Sequence, residues 1–142
     1  MLAASQVGAL VITGLVAPVF SPLKEDGSLN LSVIPSYAAW LNSTGVQWIF
    51  TAGSTGESVD LTLIERKALA EAWIAEAPKY GQRVIVHVGS DSVADMTDMA
   101  AHAQEHGADA IAAMPPTYIR PTTLGALVQT MAAVAGAAPK TP

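Results

Sequence analysis

Val46-Gln47-Trp48-Ile49-Phe50-Thr51-Ala52-Gly53-Ser54-Thr55-Gly56-Glu57 sets a six-residue apolar run directly against a loop of small, backbone-exposing residues. An apolar run of this length bounded by turn residues reads as a buried strand, and the loop then lies at its carboxyl end. Two glycines permit a tight turn, and the amides and hydroxyls of Ser54 and Thr55 can converge on a carboxylate or phosphate without a cation. The stretch therefore predicts an anion site at the mouth of a strand.

Working outward, three further strand-like runs appear at Ile12–Val19, Arg83–Val88 and Asp109–Met114, each followed by a loop and a helical pattern. Helix starts are marked by Asn30, by the capping box Thr62-Leu63-Ile64-Glu65, by Ser92 with Asp95, and by Thr122 or Thr123. Helix stops are expected at Gly45, at Pro78 with Gly81, at Gly107 and at Gly136. Gly45-Val46, Gly81-Gln82-Arg83 and Gly107-Ala108-Asp109 repeat one design, a glycine stop just before a strand. Four βα units in succession imply an α/β fold with a parallel sheet. Such a sheet is either an open doubly wound fold or the first four βα units of a (βα)8 barrel, and periodicity does not choose between them.

Composition agrees with strands covered on both faces. Of 142 residues, 51% are hydrophobic and only 13% charged, which places much of the chain in a core. A net charge of −5 without a cluster of Lys or Arg speaks against nucleic acid and anionic membrane as partners. Zero cysteines exclude disulfides and thiolate metal sites. Residues 1–23 carry no charge, yet they lack a basic n-region, and Gly8, Gly14 and Pro18 interrupt the apolar run. Residues 1–13 are expected to be an N-terminal tail, 14–136 the βα units, and 137–142 a C-terminal tail where a further strand would begin.

Ligands of such folds bind beyond the carboxyl ends of the strands. Those ends carry Ala17-Pro18 with Ser21-Pro22, the Ser54-Thr55 loop, His87-Val88-Gly89-Ser90, and Pro115-Pro116-Thr117-Tyr118. Ser54, Thr55 and Tyr118 form a candidate hydroxyl-lined anion site, and hydroxyls joined to a phenol can relay protons. No lysine stands at a strand end. No Walker lysine follows the glycine loop, which argues against a nucleotide P-loop, and the acidic chain argues against the GXXG loop of an RNA-binding KH module. Glu57 reads as structural, tying down the loop or the helix entry, and His87 as a hydrogen-bonded histidine on the inner side of its strand.

Taken together, Gly14-Leu15-Val16-Ala17-Pro18, Asp26-Gly27, Gly53–Glu57, Glu65-Arg66, His87-Val88-Gly89, Gly107-Ala108-Asp109 and Pro116–Pro121 resemble the N-terminal half of the N-acetylneuraminate lyase and dihydrodipicolinate synthase family. The likeness runs from about Gly14 to Gly136. It implies the first half of a (βα)8 TIM barrel, commonly tetrameric, in which a pyruvate unit is held as a Schiff base on lysine. By that resemblance Ser54 and Thr55 hold the pyruvate carboxylate, Thr55 joins a proton relay, and Tyr118 is a relay or substrate-contacting tyrosine. The reaction implied is cleavage of N-acetylneuraminate to N-acetylmannosamine and pyruvate, in the cytoplasm, by a homo-oligomer without a cofactor. The alternatives are an inactive truncated or spliced form, or a synthase-like or other 2-keto acid aldolase.

Two departures from the family pattern stand out. The family's lysine lies on the sixth strand and its main catalytic tyrosine on the fifth, and the 142 residues end before both. Lys24, Lys67, Lys79 and Lys140 fall in a loop, a helix, a helix exit and a tail, so none replaces that lysine. The second is Thr117-Tyr118-Ile119, where synthases usually show two adjacent tyrosines and then asparagine; this favours the lyase branch.

His102-Ala103-Gln104-Glu105-His106 matches the H-x-x-E-H pattern of zinc peptidases. On a helical wheel Val93, Met96, Ala100, Ala103 and Gly107 share one face, while His102, Glu105 and His106 fall roughly 90–170° away, beside Asp95 and Asp98. That face is expected to be solvated, and no metal site is expected there.

Overall fold

The computed structural model describes residues 10–142. Four strands, β1 (Leu15–Pro18), β2 (Val46–Thr51), β3 (Arg83–His87) and β4 (Ala110–Ala112), alternate with α1 (Ile34–Ser43), α2 (Leu63–Glu76), α3 (Val93–Glu105) and α4 (Leu124–Ala137). All strand pairs are parallel, in the order β1-β2-β3-β4. A doubly wound sheet reverses its strand order at a switch point, whereas a barrel wall adds each strand beside the last. The unreversed order is that of half a (βα)8 barrel.

Both faces of the sheet are buried along β2 and β3, by residues that alternate along each strand, whereas β1 is largely exposed. Ile49, Val84, Val86 and Val88 point outward into a core with Ile34, Ala38 and Leu41 of α1, Leu69, Ala70 and Trp73 of α2, and Met96, Met99, Ala100 and Ala103 of α3. Trp48, Ile85 and Ala110 point inward, packed with Phe50, Ala112 and Leu10. Full burial of one such side chain contributes about 1.5–3 kcal/mol, so the outer layer carries most of the hydrophobic stabilisation.

The helix boundaries show how local chemistry was satisfied. Thr62 and Glu65 form the reciprocal capping box: the Thr62 hydroxyl accepts from the Glu65 amide, and Glu65 Oε2 accepts from the Thr62 amide at 2.8 Å. Ser92 and Thr123 cap α3 and α4 by accepting from the amides of Asp95 and Ala126. Gly81 and Gly107, at φ +70° and +88°, end their helical segments in the left-handed conformation that a side chain resists.

Several boundaries differ from the sequence reading. β1 covers four residues rather than Ile12–Val19. β4 is confined to Ala110–Ala112, because Asp109 is spent on β3: its amide donates to Val84 O and its Oδ2 accepts from the Val84 amide. Asn30 precedes a 3₁₀ turn (Leu31–Val33) and accepts from the Ser32 hydroxyl instead of capping an amide. Gly136 lies inside α4, which runs on to Ala137. Of the tail expected at 1–13, residues 1–9 fall outside the described residues, while Leu10 packs against the inner face. The Pro142 carbonyl accepts from the Ile111 amide at 2.8 Å, so the final residue lies along the β4 edge.

Candidate functional site

The strand ends meet at a cavity of about 250 Å³ lined by Ser54, Ser58, His87, Gly89, Asp91, Met114 and Thr117, among others. It lies beyond β2, β3 and β4, at the end where barrel enzymes carry their chemistry.

The β2 loop is held by its own backbone. Gly56 and Ser58 amides donate to Gly53 O, the Glu57 amide donates to Ser54 O at 3.0 Å, and Ser21 Oγ donates to Gly56 O at 2.6 Å. The glycines serve here for space rather than for turning. The left-handed residues are Ala52 (φ 56°) and Glu57 (φ 51°), whereas a Cβ at Gly53 would stand 2.7 Å from the Phe50 ring and one at Gly56 3.0 Å from Val19 O. The Glu57 carboxylate forms no hydrogen bond or ion pair among the described residues; it is the Glu57 amide that ties down the loop. Neither the amides nor the hydroxyls of Ser54 and Thr55 have an intramolecular hydrogen-bond partner among the described residues. Of these four donors, those of Ser54 stand at the cavity wall, while Thr55, the next residue, is half-buried and outside the cavity lining.

At the β3 end, His87 Nδ1 lies 3.0 Å from Ala52 O. A carbonyl only accepts, so Nδ1 carries the proton and Nε2 keeps its lone pair. Burial holds the imidazole below its ordinary value of 6.5; the bond to Ala52 opposes this shift, and the charge of Arg66 adds to it. His87 stacks against Phe50 on the inner side of the strand, as the alternation of its neighbours implies. A Cβ at Gly89 would fall 2.7 Å from His87 Nε2 and 2.8 Å from the Met114 amide nitrogen, so glycine is required for the β3 and β4 loops to close together.

Two residues of this region were given no role by the sequence reading, although Glu65-Arg66 is among the residues that carry the resemblance. Arg66, on α2, is 7% exposed and binds the carbonyls of Gly89 and His87. Its Nε is buried without a partner, and Asp95 lies within range to offset its charge. Asp91 accepts from the Thr117 and Tyr118 amides and thereby folds the β4 loop over the cavity; those amide bonds hold its carboxyl below the ordinary carboxylate value. An acidic residue between two serines after a strand is the only sequence signal for that role.

Tyr118 is placed differently from Ser54. Its side chain is 88% exposed, lies outside the cavity lining, and makes no hydrogen bond to Thr55. Met114, Pro115 and Thr117 are the residues of that loop which line the cavity. The four lysines stay away from it: Lys67 pairs with Asp98 and Lys79 with Glu76, both at 2.6 Å, Lys24 lies in a turn, and Lys140 follows α4. The wheel reading of α3 also needs correction, since the His102 side chain is only 13% exposed and faces Glu71 of α2.

Four parallel βα units in unreversed strand order, with a cavity at the carboxyl ends of the strands, define the wall of a (βα)8 barrel. The chain belongs to the dihydrodipicolinate synthetase family, whose model matches residues 11–142. It is 43% identical over 132 residues to the N-acetylneuraminate lyase of Xenopus tropicalis and 39% to that of Homo sapiens, covering 92% of this chain in each case. It spans less than half the length of these relatives, 43% and 41%. The Proteus mirabilis N-acetylneuraminate lyase superimposes with a TM-score of 0.87 at 32% identity, over 92% of this chain and 44% of that one. The dihydrodipicolinate synthase of Cyanidioschyzon merolae does so at 0.81 and 29%, over 89% and 43%. The fold is therefore the N-terminal half of this family's TIM barrel.

Proposed function

We propose that the protein is a pyruvate-dependent class I aldolase-type lyase that cleaves N-acetylneuraminate to N-acetylmannosamine and pyruvate, and that these 142 residues supply the half of the site that holds the carboxylate. The observation that carries this reading is the set of unpartnered donors on Ser54, which lines the strand-end cavity, and on the adjoining Thr55. A carboxylate placed there accepts two or three of them, each worth about 1.5–3 kcal/mol in a dry site. That fixes the plane of the keto acid without performing its chemistry.

Carbon–carbon cleavage requires a lysine amine that attacks the ketone and forms an iminium, which then accepts the electron pair of the broken bond. None of Lys24, Lys67, Lys79 and Lys140 lines the cavity; by the family resemblance the lysine belongs to the sixth strand of the barrel and the main catalytic tyrosine to the fifth. Thr55 and Tyr118 are assigned to proton relay. Thr55 stands next to the carboxylate, and Tyr118, exposed on its loop, acts from the rim. The partners are a small keto acid and further copies of the chain, as a homo-oligomer in the cytoplasm; no helix among the described residues is long and apolar enough to cross a membrane.

A chimera tests the reading. Joined at Pro142 to the C-terminal half of the Xenopus tropicalis lyase, the chain is expected to release pyruvate from N-acetylneuraminate, read through lactate dehydrogenase. Ser54→Ala in that chimera should lower kcat/KM by about a hundredfold, the usual scale for one lost preorganised donor. A folded chimera that traps pyruvate with borohydride yet leaves N-acetylneuraminate uncleaved would overturn the substrate assignment.

A further inference from the structure

His102 and His106 sit one turn apart on α3, so their rings project from the same side of the helix. That side faces α2. Glu71 of α2 reaches both: its Oε1 is 2.8 Å from His102 Nε2 and 3.8 Å from His106 Nε2. One ligand atom from each of the three residues lies within 4.8 Å of the others, and the two rings stand 4.1 Å apart. Ligands placed tetrahedrally at 2.0–2.1 Å from zinc lie about 3.3 Å from one another, a spacing that the two Glu71 distances bracket.

The hydrogen bonds around the cluster place the ring protons: His102 Nε2 donates to Glu71 Oε1 at 2.8 Å, and a metal ion bound there would displace that proton. His106 Nδ1 is 2.9 Å from the His102 carbonyl, which only accepts, so Nδ1 carries the proton and the Nε2 lone pair points at the Glu71 carboxylate. A ring nitrogen tied to a backbone carbonyl with the other left as donor is the arrangement that orients metal-binding histidines. Lys67, one turn earlier on α2, is occupied by Asp98 at 2.6 Å and does not neutralise Glu71.

We propose that Glu71, His102 and His106 form a binding site for a divalent transition metal, zinc above all, that joins α2 to α3 on the outside of the barrel. Two imidazoles and a carboxylate suit zinc and its neighbours rather than calcium or magnesium. Three protein ligands leave a fourth position for water. The site lies on the helical layer, away from the strand-end cavity, and does not depend on the proposed lyase activity. Glu105, which completes the H-x-x-E-H pattern in sequence, takes no part.

Titration of the untagged 142-residue chain with zinc chloride by calorimetry tests this, with cobalt(II) absorption reporting coordination geometry. One zinc per chain is expected, with the visible band of tetrahedral or five-coordinate cobalt. His106→Ala and Glu71→Gln should each weaken zinc binding at least about tenfold. Both side chains are partly exposed, so these variants keep the fold, checked by circular dichroism. Glu105→Gln should bind like the parent. No saturable uptake, half a zinc per chain, uptake unchanged by His106→Ala and Glu71→Gln, or uptake lost in Glu105→Gln but kept in Glu71→Gln would each overturn the proposal.

Discussion

Arg66 Nη1 on α2 donates to the carbonyl of Gly89 beyond β3 at 2.9 Å, while Nη2 of the same guanidinium takes the His87 carbonyl at 2.8 Å. One helix side chain thus fixes the backbone on which the cavity's third wall stands. Replacing Arg66 with Met keeps much of its bulk and strands both carbonyls. Hydrogen bonds to a charged group contribute about 1.5–3 kcal/mol each, so a loss of about 3 kcal/mol in chemical denaturation is expected. A change below about 1 kcal/mol would mean that the clamp is dispensable.

His87 gives stability a pH dependence of known sign. Its pKa in the folded chain is lowered, chiefly by burial, so the unfolded chain takes up the proton first as pH falls below about 6.5. The stability owed to the neutral ring is complete above that pH and is lost below it. His87→Asn keeps a donor for Ala52 O but cannot titrate. Denaturation midpoints of parent and variant should diverge between pH 7 and pH 5, the parent losing more; parallel curves would refute the assignment.

Asp91 holds the β4 loop through the Thr117 and Tyr118 amides. In Asp91→Ala both amides lose their acceptor, and hydrogen exchange at these two positions should rise at least tenfold while α3 stays protected. Unchanged exchange would show that the loop is shaped by Pro115 and Pro116 instead.

The sequence showed much of this through chemistry that acts locally. The Thr62–Glu65 box, the Ser92 and Thr123 caps and the glycine stops each bind an amide or set a φ within four residues, and so they are visible to short-range reading. Arg66 and Asp91 act across 23 and 26 residues, and only the folded sheet brings their partners near. The same reason hides Glu71 from the α3 wheel: a wheel shows one helix, whereas the ligand set spans two. Gly53 and Gly56 were legible as glycines but for a different reason, since the left-handed turns fall to Ala52 and Glu57.

Among the described residues the outer edge of β1 has no partner strand, and Leu15 there is 61% exposed. An open strand edge with apolar neighbours invites pairing with a second copy. Sedimentation of the 142-residue chain should show dimers or larger species at micromolar concentration. A stable monomer would show that the edge is protected.

The carboxylate clamp at Ser54 and Thr55 is tested most directly by saturation-transfer difference NMR of pyruvate with the 142-residue chain, a measurement that tolerates self-association. Two or three hydrogen bonds without a covalent link correspond to a Kd of about a millimolar. Transfer to the pyruvate methyl group should saturate in that range, be competed by other 2-keto acids, and vanish in the Ser54→Ala, Thr55→Val double variant. Transfer of equal strength in the double variant, or none in the parent, would contradict the account.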